Sequence, residues 1–480
     1  MGNNRSKKVF SNLIWRFMER ILAQGVTFLV SIVLARILDP EIYGTIALVT
    51  VIITFMQVFV DSGLGNALIQ KKDADDLDFS TVFYFNIVAC IFLYGIMFLS
   101  APIIASFYNR TELTPIIRVL GLTLVISGIK NVQQAYVSRH LLFRKFFYAT
   151  LSGTIGAAVV GIFMAYHGFG VWSLVCQSIF NVLVDTIILW LTVRWRPKLT
   201  FSFIRLKELF SYGWKLLVAS LIAVGYQEIR TLAIGKIYTD ADLAYYNRGT
   251  QFPKFIIGNI NTSIDSVLLP TLSSEQDNKE RVRAITRRAI KTSSFLIMPL
   301  MVGLAVCAEP LIRLVLTEKW LPTVFYLRVF CFSFAFYPMH TANLNALKAM
   351  GRSDYFLKLE IIKIIVAVVA LLTTMFISVE AMALSTIITS ILSQIINSWP
   401  NKKLLNYSYL NQLKDMLPQI TLSLVMGGMV FLISFLGLND VITLIMQILV
   451  GGLIYIGASL IFKNDSFQYI VEVIKAHKRS

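Results

Sequence analysis

The chain has 480 residues, of which 56% are hydrophobic and only 15% are charged, and its mean hydropathy is +0.69. These values exclude a soluble globular protein of ordinary composition. The net charge of +17 invites a nucleic-acid interpretation, but the basic residues lie in short loops, where they set topology and meet anionic headgroups. No nucleic-acid partner is expected. The composition predicts an all-α polytopic membrane protein.

Fourteen segments are each long and apolar enough to cross a bilayer, which takes about 20 mostly apolar residues. The predicted spans are residues 13–38, 43–60, 80–104, 116–137, 148–166, 171–191, 209–236, 251–271, 292–308, 326–347, 355–376, 379–399, 415–436 and 441–462. The first is not expected to be a cleaved signal peptide, because it is too long and contains Arg16, Glu19 and Arg20. The four cysteines lie singly inside spans, so neither a metal site nor a disulfide is expected.

The basic residues predict the orientation of the chain in the membrane. Lys and Arg accumulate in cytoplasmic loops. With the N-terminus inside, the even-numbered connections and both termini hold most of them, including the cluster between Lys279 and Lys291, and the outer connections hold few. We therefore expect a multi-pass membrane protein with both termini in the cytoplasm.

The sequence repeats itself weakly with an offset near 200 residues. Trp15–Ile37 and Trp214–Ile237 each begin with Trp and a basic residue. The next span in each half ends with a similar four-residue sequence, which begins at Asp61 in the first copy and at Asp265 in the second. Each copy would hold six spans, which gives parallel repeats as in some transporters. The predicted divisions are an N-lobe at 1–191, a cytoplasmic amphipathic linker at 192–212, a C-lobe at 213–403, and two further spans with a basic tail at 404–480.

The linker admits two interpretations. Its apolar residues can form one face of an interfacial helix, or the segment can be a solvated linker followed by an early start of the seventh span. The residues concerned are Phe203, Ile204, Leu206, Leu209 and Phe210.

Several spans carry polar residues three or four apart, which places them on one helix face. A charge at the bilayer centre costs about 2.5 to 3.5 kcal/mol, so such faces normally line a bundle interior or a wet cavity. The stripes on spans 1, 2, 7 and 8 predict one polar cavity between the lobes. The predicted basic lining is Arg16, Arg20, Lys215, Arg230 and Lys254. The other polar or ion-coupling candidates are Gln24, Gln57, Asp61, Asn131, Gln134, Glu228, Asn261, Asp265 and His340.

Each of these residues also has a structural interpretation. Arg16, Lys215 and Asp61 lie close enough to the cytoplasmic end to snorkel to the interface. Glu19 is a candidate structural partner for Arg20, and Glu228 or a residue such as Glu19 is one for Arg230. Packing is the more common role for a residue such as His340. A net positive lining nevertheless indicates an anionic ligand, because Arg holds phosphate oxygens through its planar fork and Lys does so as a point charge.

Three segments carry a family resemblance: Arg36–Gly44, Asp61–Ile69 and Leu209–Trp214. In order and position they resemble the polysaccharide transporters of the multidrug/oligosaccharidyl-lipid/polysaccharide (MOP) superfamily, the Wzx-type and teichuronic-acid-exporter-like flippases. The resemblance implies fourteen helices in two six-helix lobes plus two. It also implies alternating access around a basic cavity, with Arg20, Lys215 and Arg230 as the residues carried over.

The resemblance implies a flippase of the bacterial plasma (inner) membrane. It would move an undecaprenyl-diphosphate-linked oligosaccharide from the inner to the outer leaflet during O-antigen, capsule, exopolysaccharide or teichuronic acid synthesis. A polysaccharide polymerase and glycosyltransferases are the expected protein partners, and a monomer is expected. No phosphate-binding loop of the GxxxxGK[ST] type occurs, so no ATP cofactor is expected. Transport would be driven by the membrane potential or by Na⁺ or H⁺ coupling.

Two other functions are considered. A cation-coupled multidrug exporter of the same superfamily would present a net acidic cavity, whereas the deep charges here lean basic. A membrane glycan polymerase or ligase commonly needs a large outer loop with catalytic Arg or His, and the longest outer segment, 309–325, is short. No catalytic or metal-binding constellation stands out, so the chain is predicted not to be an enzyme.

Overall fold

The computed structural model describes residues 2–61 and 64–477. Every regular element in these residues is helical, which confirms the all-α fold class. The α-helices are α1 (Gly2–Ile37), α2 (Pro40–Asp61), α3 (Leu64–Gln70), α4 (Asp76–Tyr108), α5 (Leu113–Leu120), α6 (Leu122–Arg139), α7 (Phe143–Tyr166), α8 (Val171–Thr192), α9 (Phe203–Ile237), α10 (Asp240–Ser274), α11 (Lys279–Val306), α12 (Ala308–Val315), α13 (Thr323–Ala335), α14 (Tyr337–Ala349), α15 (Ser353–Thr374), α16 (Val379–Leu405), α17 (Tyr409–Ile433), α18 (Asp440–Ile461) and α19 (Asp465–His477). Two 3₁₀ helices lie at Glu318–Trp320 and Ser434–Leu436.

Ten helical segments in the described residues are long and apolar enough to cross a membrane. They are Pro40–Gln70, Asp76–Tyr108, Leu113–Arg139, Phe143–Tyr166, Val171–Thr192, Leu216–Ile237, Lys279–Val306, Val379–Leu405, Tyr409–Leu436 and Asp440–Ile461. Each coincides with a span predicted from the sequence. The chain is a multi-pass helical membrane protein.

The four remaining predicted spans also fall on helices, but these do not meet the same requirement. In α1 the apolar part is limited to Ile21–Ile37. α13 and α14 have 13 residues each and are separated at Phe336. α15 carries Lys358, Glu360 and Lys363 in its first half, and α10 is rich in polar residues. The count of fourteen spans stays a prediction.

The predicted duplication has a local counterpart in two turns. α1 ends at Ile37 and α2 begins at Pro40, while α9 ends at Ile237 and α10 begins at Asp240. The helices that follow also repeat in order: in each half, a long helix precedes a broken pair, α5 with α6 or α13 with α14, and two further helices. The symmetry of the two predicted lobes as whole bodies stays a prediction.

Polar side chains cap the helices at the loops. Oδ1 of Asp75 accepts hydrogen bonds from the backbone N–H groups of Leu77 and Asp78 at 3.1 and 3.0 Å. These bonds, chiefly the one from Asp78, lower the pKa of Asp75. Such caps satisfy N–H groups that have no partner within the helix. The corresponding caps of α9, α11, α16, α17 and α18 are Ser202, Asn278, Ser378, Ser408 and Asn439.

Internal packing divides the chain into two compact units, Met1–Ala244 and Tyr245–Ser480. The division falls within α10, so that α9 packs with the first unit. The divisions predicted from the sequence rest on the repeat rather than on packing, and they stay a prediction.

Glycines allow α7 and α8 to pack closely in the first unit. A Cβ atom at Gly153 would lie 2.9 Å from the carbonyl oxygen of Asn181, and a Cβ atom at Gly161 would lie 3.1 Å from the side chain of Gln177. Small residues let membrane helices approach each other where lipid offers no hydrophobic driving force. Larger residues at these positions would separate the two helices.

The segment 193–202 has no helix and crosses the first turn of α4. The backbone N–H of Lys198 donates to Oγ of Ser80 at 3.0 Å, and that of Ser202 donates to Oγ1 of Thr81 at 3.2 Å. These contacts tie the linker to the first unit.

The apolar residues of the linker do not share one environment. α9 runs without a break from Phe203 into the predicted seventh span, as the second interpretation expects. Leu209 is buried and Leu206 packs against the same core cluster. Phe203, Ile204 and Phe210 are exposed. They are therefore free to contact lipid at the membrane surface.

In the second unit, α11 packs against α13, α14 and α17. One core cluster joins it to α17 and α18 through Phe295, Cys307, Met426, Val430 and Tyr455. The hydroxyl of Tyr455 donates to the carbonyl oxygen of Phe295 at 2.9 Å, which satisfies a polar group inside an apolar core.

Candidate functional site

Arg230 is the predicted cavity cation with the most informative surroundings. It lies on α9, seven residues before the helix ends at Ile237, which is about 10 Å along the helix. Among the described atoms, its Nε and Nη2 are buried and have no hydrogen-bond partner. No ion pair joins it to Glu228, the partner proposed from the sequence, among the described side chains. An unpaired buried cation is costly unless water or an anion solvates it.

Helix α2 runs antiparallel to α9 in the first unit. A Cβ atom at Gly225 would lie 3.7 Å from Phe55, and one at Gly235 would lie 2.8 Å from Leu48. Arg230 lies between these two contacts along α9. Gln57, predicted to line the cavity, is partly buried on α2. The two helices that carry these predicted polar residues are therefore neighbours.

Other predicted residues of the first unit are described only in part. Arg16 and Arg20 lie on α1, Asp61 ends α2 and Lys215 lies on α9, but their side chains are outside the described part of the structure. Gln24 is partly buried on α1. The cavity roles of these residues stay predictions.

Helix α6 contributes two predicted residues and one that sequence reasoning missed. Nδ2 of Asn131 donates to the carbonyl oxygen of Val60 at 3.3 Å, which ties α6 to α2. Gln134 is partly buried. Nζ of Lys130 lies 2.8 Å from Oδ2 of Asp185 on α8, and both side chains are largely buried. This ion pair joins two helices that contain predicted spans.

A second unpredicted ion pair joins Arg110, in the loop after α4, to Asp240, the first residue of α10. Both residues are predicted to lie on the outer side of the membrane. The guanidinium of Arg110 pairs with the carboxylate of Asp240 and donates to the carbonyl oxygen of Tyr238 at 3.2 Å. Oγ1 of Thr45 donates to Oδ2 of Asp240 at 3.2 Å. Burial raises the pKa of Asp240, and Arg110 opposes this rise. A Cβ atom at Gly44 would overlap the Asp240 backbone, so the turn between α9 and α10 lies directly against α2.

In the second unit, Asn261 and Asp265 belong to one hydrogen-bonded network. Asp265 accepts from Nδ2 of Asn345 at 2.6 Å and from Nδ2 of Asn261 at 3.1 Å. Thr341 donates to Oδ1 of Asn261. These groups satisfy one another and hold α10 against α14. Lys254, also on α10, has an exposed side chain.

His340 lies in a buried polar layer between α14 and α16. Its Nδ1 is 2.8 Å from Nδ2 of Asn397, and its ring centroid is 5.1 Å from that of Tyr337. Nearby, Asn343 exchanges hydrogen bonds of 2.7 and 3.0 Å with Gln412 on α17. Such paired amides fix the register of the helices. This environment agrees with the packing interpretation of His340.

An apolar cavity of about 490 Å³ lies among α10, α11, α17 and α18 in the second unit. Glycines widen it, because they leave room where other residues would carry a side chain. Residues of its wall include Leu300, Gly303, Met426, Val430, Ile448 and Gly451. Its chemistry suits a hydrocarbon chain rather than a sugar.

The missed ion pairs had partial sequence indications. Lys130 and Asp185 are charges inside otherwise apolar spans, which is itself an indication of a buried partner. Arg110 and Asp240 lie 130 residues apart, and nothing in the sequence pairs them.

Comparison with known proteins identifies the relatives of the chain. A family model described as polysaccharide biosynthesis protein matches residues 33–325. The teichuronic acid biosynthesis protein TuaB of Bacillus subtilis is 27% identical over 62% of this chain and 62% of its own length. The succinoglycan biosynthesis transport protein ExoT of Rhizobium meliloti is 23% identical over 66% and 64%. The lipopolysaccharide biosynthesis protein WzxC of Escherichia coli is 24% identical over 68% and 66%. Each match covers slightly less than two thirds of the relative's length.

Solved structures share the fold. A lipid II flippase, MurJ, in an inward closed conformation matches with a TM-score of 0.74 at 16% identity, over 95% of this chain and 99% of that one. An inward-facing multidrug resistance MATE transporter of the MOP superfamily matches with a TM-score of 0.59 at 14% identity, over 85% and 99%. The chain therefore shares its fold with both proteins. These similar proteins are described as a flippase, a transporter and polysaccharide biosynthesis or transport proteins, and none of these descriptions names an enzymatic reaction.

Proposed function

The chain belongs to the polysaccharide biosynthesis protein family, and we propose that it is a flippase for an undecaprenyl-diphosphate-linked oligosaccharide in the bacterial plasma membrane. Relatives involved in teichuronic acid, succinoglycan and lipopolysaccharide biosynthesis and the fold shared with a lipid II flippase support this proposal. The proposed cargo is the lipid-linked repeat unit, and alternating access between the lobes is the proposed mechanism.

The proposal rests chiefly on the surroundings of Arg230. Its guanidinium has two buried nitrogen atoms without a partner in the described structure, within a helix segment apolar enough to cross the membrane. A diphosphate supplies oxygens that accept bidentate hydrogen bonds from this group. Binding the anion would therefore offset the cost of burying the cation. A neutral or cationic cargo would leave that cost uncompensated.

The lipid part of the cargo needs an apolar environment. The apolar cavity at α11, α17 and α18 supports the proposal, because an isoprenoid chain has no polar groups to satisfy. Because α17 and α18 fall outside the predicted duplication, they would serve the lipid rather than the sugar.

The membrane potential would be sufficient to favour export. A doubly charged diphosphate that leaves a negative-inside cell gains roughly 4 to 5 kcal/mol per 100 mV. Na⁺ or H⁺ coupling is the alternative source of energy. Asp265, which accepts hydrogen bonds from Asn261 and Asn345, would then be a candidate coupling site.

The proposal is tested by exchanging Arg230 in cells that depend on this chain for glycan export. We expect Arg230→Ala to reduce surface glycan by roughly 10- to 100-fold, since charge-assisted hydrogen bonds contribute about 1.5 to 3 kcal/mol. Arg230→Lys keeps the charge without the fork and should retain intermediate export. Arg144→Gln is the matched control, because Arg144 is exposed and contacts Tyr148 on its own helix. Normal export by Arg230→Ala at normal protein level would contradict the proposal.

The competing function is export of cationic drugs, which the MATE neighbour suggests. An unpaired buried guanidinium repels such a cargo. Resistance to cationic drugs that depends on this chain, together with unchanged glycan export in its absence, would favour the competing function.

A further inference from the structure

We propose that the inner end of α11 and the C-terminal helix α19 form a binding site for the phosphate group of an anionic phospholipid, separate from the proposed flippase cavity. Four cations lie on neighbouring turns of one part of α11: Arg283, Arg287, Arg288 and Lys291. They line a cavity of about 770 Å³ whose opposite wall is α19. Glu280 and Asp465 are its only carboxylates among the described lining residues, so the cavity is net positive.

The floor of the cavity is held rigidly. Nε and Nη2 of Arg287 donate to the carboxylate of Asp415 at 2.7 and 2.6 Å, and the hydroxyl of Tyr407 donates to the same group at 2.8 Å. Nζ of Lys291 lies 3.5 Å from Asp465 on α19. The two-pronged contact with Asp415 thus orients Arg287 before any ligand binds, which lowers the entropic cost of binding, whereas the contact of Lys291 with the exposed Asp465 is loose.

The other two cations are available to a ligand, because no carboxylate in the described structure pairs with them. Among the described side chains, Arg283 and Arg288 form no ion pair. The guanidinium of Arg288 instead lies 4.8 Å from the ring centroid of Tyr469 on α19, which orients it without neutralising it. A phosphate oxygen placed between Arg283 and Arg288 would receive charge-assisted hydrogen bonds from both.

Helix α19 has the amphipathic character of a membrane-surface helix. Phe467 and Ile470 pack against the cluster around Phe295 and Tyr455, while Asp465 and its neighbour Ser466 line the basic cavity. The predicted ninth span begins at residue 292, so the cations of α11 lie at the level of the lipid headgroups on the predicted cytoplasmic side.

A lipid is favoured over a free phosphate because an apolar recess adjoins the basic cavity. This second cavity, of about 540 Å³, shares Lys291 and Asp465 with the first. Its lining combines an apolar strip of Leu417, Pro418, Leu422 and Phe462 with further cations at Lys414 and Lys463. A phosphodiester held by the cations would therefore have an apolar surface beside it for its acyl chains. A free phosphate would make no use of this recess.

The test measures lipid binding to the purified full chain by native mass spectrometry and by thermal unfolding. The probes are dioleoyl phosphatidylglycerol, dioleoyl phosphatidylcholine and inorganic phosphate. We expect phosphatidylglycerol to bind and stabilise the chain, with Arg283→Gln/Arg288→Gln weakening its binding at least about tenfold. The matched control is Lys402→Gln/Lys403→Gln, two cations at the end of α16 that should leave binding unchanged.

Three outcomes would overturn the proposal: equal binding by the double variant and the wild type, equal loss in the control, or stabilisation by inorganic phosphate as large as that by phosphatidylglycerol. If the double variant fails to fold, photo-crosslinking of the wild-type chain to a phosphatidylglycerol analogue decides. Crosslinks on α11 and α19 support the site, and crosslinks confined to other helices contradict it. Because Arg230 lies outside this site, failure of the proposed function would appear separately, as unchanged glycan export by Arg230→Ala.

Discussion

At the scale of single residues, the charges buried inside the helices follow two patterns. Lys130 is paired with Asp185, so its charge contributes to packing. Arg230 is partly buried with unpartnered nitrogen atoms in the described structure, so its charge is available to a ligand. The same kind of sequence feature, a cation inside an apolar span, therefore has different consequences that depend on whether a carboxylate lies on a neighbouring helix.

The pair between Lys130 and Asp185 gives the first prediction for stability. Lys130→Met leaves a buried carboxylate without its partner and should destabilise the chain by about 3 to 5 kcal/mol. Lys130→Met/Asp185→Leu removes both charges and should recover most of this loss. Thermal unfolding in detergent measures both effects. The control is Lys402→Met, a substitution at an exposed residue. A double variant no more stable than Lys130→Met would show that the pair is not the cause.

At the scale of helices, small residues determine how closely neighbours pack. Gly153 on α7 faces the backbone of Asn181 on α8, and a Cβ atom there would lie 2.9 Å from its carbonyl oxygen. Backbone cannot move aside as a flexible side chain can. The packing of α7 on α8 also positions Asp185, whose backbone nitrogen would lie 3.4 Å from a Cβ atom at Gly153.

Gly153→Ala should therefore lower the stability of the chain by about 1 to 3 kcal/mol, the usual cost of overpacking. Gly95→Ala on α4 is the matched control, because nothing lies within 4 Å of its would-be Cβ atom, and a helical Gly→Ala change in open space stabilises slightly. The unfolding midpoints of the two variants provide the comparison. Equal midpoints would indicate that α7 and α8 are not closely packed.

The helices themselves could be predicted well from the sequence, because long apolar segments in lipid have to be helical. All ten segments that meet the spanning requirement were predicted, and the turn at Ile37–Pro40 recurs at Ile237–Asp240. Contacts between helices could not be predicted, since hydropathy does not say which spans are neighbours. For that reason the partners of Lys130 and Arg110 could not be predicted from the sequence. For the same reason Glu228 was proposed as an ion-pair partner of Arg230, and the described side chains show no such pair.

At the scale of the whole molecule, the basic loops predict that both termini lie in the cytoplasm. The test places a single cysteine at Asp277 or at His167, which are exposed loop positions, in a cysteine-free background. A membrane-impermeant thiol reagent applied to intact cells should label the variant at 167 and not the variant at 277. The opposite labelling would reverse the orientation, and with it the predicted direction of transport.

The central claim is that the guanidinium of Arg230 on α9, which has two buried nitrogen atoms and no partner among the described residues, binds the diphosphate of the cargo. The most direct test is binding to the purified chain. Affinity is measured for undecaprenyl diphosphate and for undecaprenol, which has the same chain without phosphate. The wild type should bind the diphosphate more tightly, and Arg230→Ala should lose that preference by roughly tenfold or more while retaining affinity for undecaprenol. An unchanged preference for the diphosphate in Arg230→Ala would contradict the account.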